Sequence, residues 1–154
     1  MLVYRISKTK YINDLSGTGA KLYGGRWNEK GIPLVYTSSS ISLAILESLV
    51  HFSFNMAPPD MSIATIYIPD NIFKSSMDIK SFGKLPNSWN ENLPNPETQQ
   101  FIKKWINNKS SLILKVPSAI NSREFNYLIN PLHKDINLII LQDIVPFSFD
   151  KRLI

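Results

Sequence analysis

Apolar and polar positions recur along this chain with two periods, and each period predicts a kind of element. Leu2 to Ile6 has the content of an opening strand. From residue 7 to 32 the periodicity lapses and glycines take over, in Leu15-Ser16-Gly17-Thr18-Gly19 and Tyr23-Gly24-Gly25, which predicts a long structured loop. Ile32 to Thr37 reads as a second strand. Ser38-Ser39-Ser40 then offers an N-cap to a helix over Ile41 to Ser53, which is apolar nearly all round and therefore predicted to be buried. Within it Glu47 shares a stripe with Leu43, Leu46 and Val50. The carboxylate is thus expected in packed surroundings or a cleft, with a hydrogen-bond donor or a cation beside it.

Ser62 to Pro69 is rich in isoleucine and predicts a further strand. The stretch 70–94 reads as loop-rich, anchored by Leu85-Pro86-Asn87-Ser88-Trp89. Asn95-Pro96-Glu97 starts a helix that runs to about Asn108: asparagine caps, proline suits the first turn and glutamate complements the dipole. Phe101, Ile102, Trp105 and Ile106 form its inner face. Ser111 to Val116, Glu124 to Ile129, Leu138 to Leu141 and Ile144 to Phe149 read as strands. No repeat or linker interrupts residues 1–154, and strands do not alternate regularly with helices. The pattern predicts one compact α+β domain, with a largely antiparallel or mixed sheet and flanking helices.

Composition narrows the function classes. A chain of 154 residues suits a single core and a single cleft, and 44% hydrophobic with 19% charged residues is ordinary for a globular domain. The absence of cysteine excludes disulfides and thiolate chemistry, and two histidines without ligand spacing make a metal site unexpected. A net charge of +5 comes from scattered lysines and not from a basic block. That balance favours an anionic small molecule or an acidic partner over direct nucleic-acid binding. The amino-terminal residues lack a signal-peptide layout and no run is long enough for a membrane span, so a soluble, cytoplasmic protein is expected.

Four polar residues stand out in apolar or turn-forming surroundings: Arg26, Tyr36, Glu47 and Ser118. A cation, a phenol and a carboxylate brought together by turn, strand and helix suit an anionic ligand that develops positive charge. Glu47 is the candidate to stabilise that charge, or else a structural glutamate that holds a loop. Arg26 offers a planar donor fork for an anionic ligand, or else staples a loop. Tyr36 offers a ring face and a hydroxyl, though an aromatic in a strand is commonly core. Ser118, after Pro117, is placed to bond a ligand or to orient Glu47. Arg5 and Asn126 are second-tier candidates for ligand contacts, and Asn126 equally suits satisfying backbone groups in a turn-rich segment. His51, one helical turn after Glu47, is either its pair or an ordinary helix histidine, and His133 reads as a turn residue. The glycine elements do not follow the strand-to-helix pattern of a dinucleotide fingerprint.

Three blocks then carry a resemblance that spans almost the full length. They are Tyr4-Arg5-Ile6; Gly24-Gly25-Arg26-Trp27-Asn28 through Tyr36 and on to Ser42-Leu43-Ala44-Ile45-Leu46-Glu47; and Val116-Pro117-Ser118-Ala119 with Asn126 to His133. Together they resemble the RES-domain toxins of RES–Xre toxin–antitoxin pairs, whose Arg, Glu and Ser fall here on Arg26, Glu47 and Ser118. Leu132 departs from the basic residue many members carry after the Asn-Pro. The resemblance implies a fold like the ADP-ribosyltransferase toxins, with Glu47, Arg26, Tyr36 and Ser118 catalytic and Arg5, Arg26, Tyr36 and Asn126 binding the substrate. It implies cleavage of the nicotinamide–ribose bond of NAD+, which is substrate and not cofactor, with water, phosphate or a protein as acceptor. A partner is implied as well: an Xre-type helix-turn-helix antitoxin that covers the cleft, with room for a toxin homodimer inside the complex. A protein ADP-ribosyltransferase, or a catalytically silent partner-binding module, are the competing readings.

Overall fold

In the computed structural model the described residues are 1–52, 58–150 and 152–153. Strands β1 (Leu2–Lys8), β2 (Val35–Ser38), β3 (Met61–Tyr67), β4 (Met77–Asp78), β5 (Ile113–Pro117), β6 (Phe125–Ile129) and β7 (Ile140–Phe147) share one sheet of seven, in the order β4-β5-β6-β2-β1-β3-β7. Only β4 and β5 run parallel; the other neighbours are antiparallel. The helices are α1 (Thr18–Tyr23), α2 (Ile41–Leu49), α3 (Asp70–Lys74) and α4 (Pro96–Asn108). This is the α+β class that the strand and helix patterns predict.

Alternation along the strands separates two cores. Val35, Ile113, Tyr127 and Ile129 join Val3, Ala64, Ile66 and Ile68 in one. Leu114, Val116 and Leu128, which alternate with those positions, pack instead with Ile102, Trp105 and Ile106 of α4 and with Trp27 and Leu34. Helix α4 is set by its sequence. The Asn95 side chain accepts from the backbone N–H of Glu97 and Thr98, Pro96 opens the first turn, and Lys109 ends the helix in a left-handed conformation.

The sheet is weakest in its middle. β1 meets β2 at one ladder position, Tyr4 opposite Ser38, whereas β1 pairs with β3 from Leu2 opposite Tyr67 to Lys8 opposite Met61. On the other side β2 pairs with β6 along its whole length, from Val35 opposite Ile129 to Ser38 opposite Asn126. The fold thus consists of two well-knit half-sheets joined by a single ladder position and a shared core, and the strands around that position bound a cavity.

Several elements differ from the sequence expectations. The stretch 7–32 is not one loop: it holds a 3-10 turn at Thr9–Tyr11 and helix α1. Gly17, at φ 72, starts α1, and a Cβ there would lie 2.5 Å from the Leu34 backbone nitrogen, so only glycine fits. The stretch 70–94 contains α3, β4 and a 3-10 turn at Ile79–Phe82. Helix α2 ends at Leu49 and Ser53 lies outside the described residues. It is also not buried all round: Leu43 and Ala44 are, but Ile41, Leu46 and Val50 are exposed, because only one face rests on β1 and β2. The two predicted closing strands are one, β7, which pairs with β3 through a register shift between Thr65 and Ile66.

Candidate active site

A cavity of about 660 Å³ opens between β1, β2, α1 and α2, and its wall includes Arg5, Arg26, Tyr36, Ser38, Glu47 and Asn126. Its size falls within the roughly 300–1,000 Å³ typical of small-molecule sites.

One wall is built on regular elements. Ser40 caps α2 by accepting from the Leu43 backbone N–H, and the resulting helix carries half-buried Glu47 to the cavity. The Asn126 Nδ2 group, from β6, donates to Glu47 Oε1 at 2.5 Å. Asn126 is held in turn by Ser38, whose hydroxyl donates to its Oδ1 at 2.7 Å. Both Ser38 and Asn126 are buried. Among the described residues no Lys, Arg or His nitrogen comes within ion-pair distance of Glu47, so the expected donor is an amide and not a cation. His51 is exposed at the cavity and is not paired with Glu47; His133 accepts from the Asp135 backbone N–H in a turn, as its sequence context predicts.

The opposite wall is built on loops. Tyr36 reaches back from β2, donates to Asn28 Oδ1 at 2.7 Å and accepts from the Trp27 backbone N–H at 3.1 Å. Its hydroxyl therefore holds the 24–28 loop, while Tyr36 both packs against the core that contains Trp27 and Leu34 and lines the cavity. Burial is the main cause that pushes the phenol far above its ordinary value, so it stays protonated and remains a donor. Asn28 uses its Nδ2 on the carbonyls of Ala20, Glu29 and Ile32, and Gln99 of α4 donates to the carbonyls of Gly25 and Asn28. Gly25 must lack a side chain here, because a Cβ would stand 2.6 Å from the Tyr36 hydroxyl.

Arg26, presented by that loop, donates from Nη1 to the Trp89 carbonyl at 3.0 Å and to the Glu91 carbonyl at 2.7 Å. Trp27 stacks on Trp89 with ring centroids 5.6 Å apart. The arginine, itself part of the cavity wall, thus ties down the segment that carries Asn92 and Pro94 to the cavity. Arg5 donates to the Asp14 carbonyl, and burial lowers its pKa, with the Asp14 charge opposing. A desolvated guanidinium of this kind favours an anionic ligand.

Ser118 stands apart. It is fully buried and does not line the cavity; its Oγ accepts from the backbone N–H groups of Ile120 and Asn121 at 3.1 Å each. It shapes the turn that brings Ala119 and Ile120 to the wall, and Asn126, not Ser118, holds Glu47. The sequence reading missed Ser38, taken there only as part of a capping serine cluster. The signal was present: Tyr36 and Ser38 are two residues apart on a strand and so share a face. Among the described residues no cluster of His, Cys, Asp or Glu is placed to hold a metal, and no helix is long and apolar enough to cross a membrane.

Comparison with known proteins fits this arrangement. A sequence profile described as the RES domain matches residues 2–150. A protein named Toxin Res from Photorhabdus laumondii is 40% identical, covering 100% of this chain and 97% of its own. One named Prs ADP-ribosylating toxin from a Sphingobium species is 36% identical, over 96% of this chain and 91% of its own. In three dimensions the chain is similar to one in the crystal structure of the MbcT–MbcA toxin–antitoxin complex of M. tuberculosis, with TM-score 0.69, 17% identity, and coverage of 96% of this chain and 84% of that one. The profile spans the cavity and both half-sheets, and the sequence relatives align along nearly their whole lengths; the chain belongs to the RES domain family.

Proposed function

We propose that this protein is the toxin of a toxin–antitoxin pair and that it cleaves the nicotinamide–ribose bond of NAD+ in the cytoplasm of its own cell. The observation that carries the reading is the placement of Glu47, a carboxylate fixed by Asn126 on one side of a cavity whose other side presents Arg26 and the Tyr36 ring. Family membership and the relatives named as toxins support it.

The chemistry needs little else. When the bond between C1′ of the ribose and the pyridinium nitrogen breaks, the electron pair goes to nitrogen, which becomes neutral, so the leaving group requires no proton. Positive charge moves onto the ribose, and a fixed carboxylate beside it stabilises the transition state more than the ground state. Arg26 and Arg5 serve the diphosphate, and the Tyr36 ring packs against the nicotinamide. An acceptor hydroxyl then attacks C1′ and loses its proton, with Glu47 in position to orient it.

The acceptor separates two readings. Water or phosphate gives depletion of NAD+; a protein side chain gives ADP-ribosylation, favoured by the name of the Sphingobium relative. An Xre-type antitoxin, as partner of the toxin or of a toxin homodimer, restrains the activity by covering the cleft. The test is incubation of the purified chain with NAD+, with and without phosphate and with cell extract, followed by chromatography of nicotinamide and of the ADP-ribosyl products. No nicotinamide release under any of these conditions rejects the enzyme reading and leaves a binding module.

A further inference from the structure

We infer that Ser38 is a positioning residue for Glu47, acting through the Asn126 amide. The inference rests on the reading of Glu47 as the carboxylate beside the reacting ribose. Asn126 lies on a central strand, with its backbone registered against Ser38 on one side and Val116 on the other. Its Cα is thereby fixed, and the freedom left to the side chain is to swing about its own bonds or to flip so that its C=O and NH2 exchange places. The two faces of that flip are not equal. An ionised carboxylate has no hydrogen to give, so only the NH2 edge can bond Glu47, and the reverse orientation sets one acceptor against another.

Ser38 decides the orientation. Its hydroxyl donates to Asn126 Oδ1 at 2.7 Å, on the side of the amide away from Glu47, and Asn126 Nδ2 then donates to Glu47 Oε1 at 2.5 Å. The chain is polarised in one direction, hydroxyl to amide to carboxylate. Ser38 and Asn126 are both buried in the cavity wall, where the bond between them counts for more than it would in bulk water. Among the described residues Asn126 is the hydrogen-bond partner of Glu47, so an amide that flips or swings frees the carboxylate altogether. Removing the Ser38 hydroxyl should therefore disturb the reacting group without altering the surfaces that grip the ligand at the Arg26 wall.

The test measures nicotinamide release by the full chain with four substitutions, each checked for an intact thermal transition. Ser38→Ala should lower kcat about tenfold and leave KM for NAD+ within about twofold, since it misplaces a group that acts on the transition state. Ser38→Thr keeps the hydroxyl and should stay within about threefold of wild type, while Ser38→Cys replaces it with a somewhat larger thiol that donates weakly and should fall with alanine. In an Asn126→Ala background, followed in single turnover, Ser38→Ala should cause no further loss. Equal losses in both backgrounds, an unchanged kcat in Ser38→Ala, or a cysteine variant more active than the threonine one would each overturn the inference. Glu47→Gln measured alongside separates the two levels: if it cleaves NAD+ normally, the reading of Glu47 itself fails, whatever Ser38 does.

Discussion

The two walls of the cavity are made in different ways. The Glu47 wall rests on a capped helix and two paired strands, and side chain holds side chain through the short bonds from Ser38 to Asn126 to Glu47. The Arg26 wall rests on loops, and there, apart from the Tyr36–Asn28 bond, side chains hold backbone: Tyr36 receives the Trp27 N–H, Gln99 grips two carbonyls, and Arg26 grips two more. A group that must meet developing charge benefits from being fixed in advance, because any reorganisation subtracts from its effect. A group that receives a flexible diphosphate tolerates adjustment. On the proposed mechanism, the contrast teaches that rigidity in this site is placed where the charge would change.

The sharpest way to break the comparison is at the fixed wall. Glu47→Gln should keep the fold and the bond geometry nearly intact but remove the negative charge, and nicotinamide release should drop by about a hundredfold or more. Near-normal turnover by the folded variant would remove Glu47 from the reaction. Next comes the adjustable wall. Arg26→Lys keeps the charge and loses the planar fork, so kcat/KM should fall on the order of tenfold to a hundredfold. The loss should be shared with the segment it ties: faster hydrogen exchange around Trp89 to Glu91 should accompany it, and full activity would mean that Arg26 acts through bulk charge alone.

A smaller effect, read in stability, tests how the loops are held. Gly25→Ala drives a methyl group to 2.6 Å from the Tyr36 hydroxyl and should cost about 1–3 kcal/mol, or roughly 2–12 °C in Tm for a domain of this size. Tyr36→Phe removes the atom in the way, so the same glycine substitution should cost less in that background; equal costs would place the clash elsewhere. Tyr36→Phe alone should reduce activity less than Tyr36→Ala, because the hydroxyl serves the loop and the ring is what remains for the ligand. The smallest change is expected from Ser118→Ala. Losing an acceptor for two turn N–H groups should lower stability by about 1 kcal/mol, with a smaller effect on turnover than any substitution above. A collapse of activity as large as that of Glu47→Gln would return Ser118 to the reaction itself.

Much of this was legible in the sequence wherever a local rule acts alone. Asn95 and Pro96 announced α4, the apolar alternation announced the strands, and the odd placement of Glu47 in an apolar helix marked the carboxylate. Long-range geometry was not legible. The amide that holds Glu47 comes from a strand 79 residues away, and the carbonyls that Arg26 grips lie 63 and 65 residues on. A serine, too, reads alike whether it caps a helix, closes a turn or orients an amide: Ser40 does the first, Ser118 the second and Ser38 the third. Helix α2 was expected to be buried because apolar content does not say how many sides have neighbours.

The distance from Glu47 to Asn126 also sets an order in time. A chain leaves the ribosome amino end first, and at roughly 5–20 residues per second the 79 residues between them take about 4 to 16 s to make. During that interval Glu47 has been synthesised but the strand that carries its amide has not. Strand β2 likewise lacks β6, and the wall that Arg26 ties lacks the segment 89–91 for most of it. The nascent polypeptide therefore carries Arg26, Tyr36 and Glu47 well before the partners that hold Arg26 and Glu47 in the cavity wall. On the proposed function, the wall that carries Glu47 is complete only after Asn126 has emerged, so an antitoxin already present meets the toxin as its site assembles.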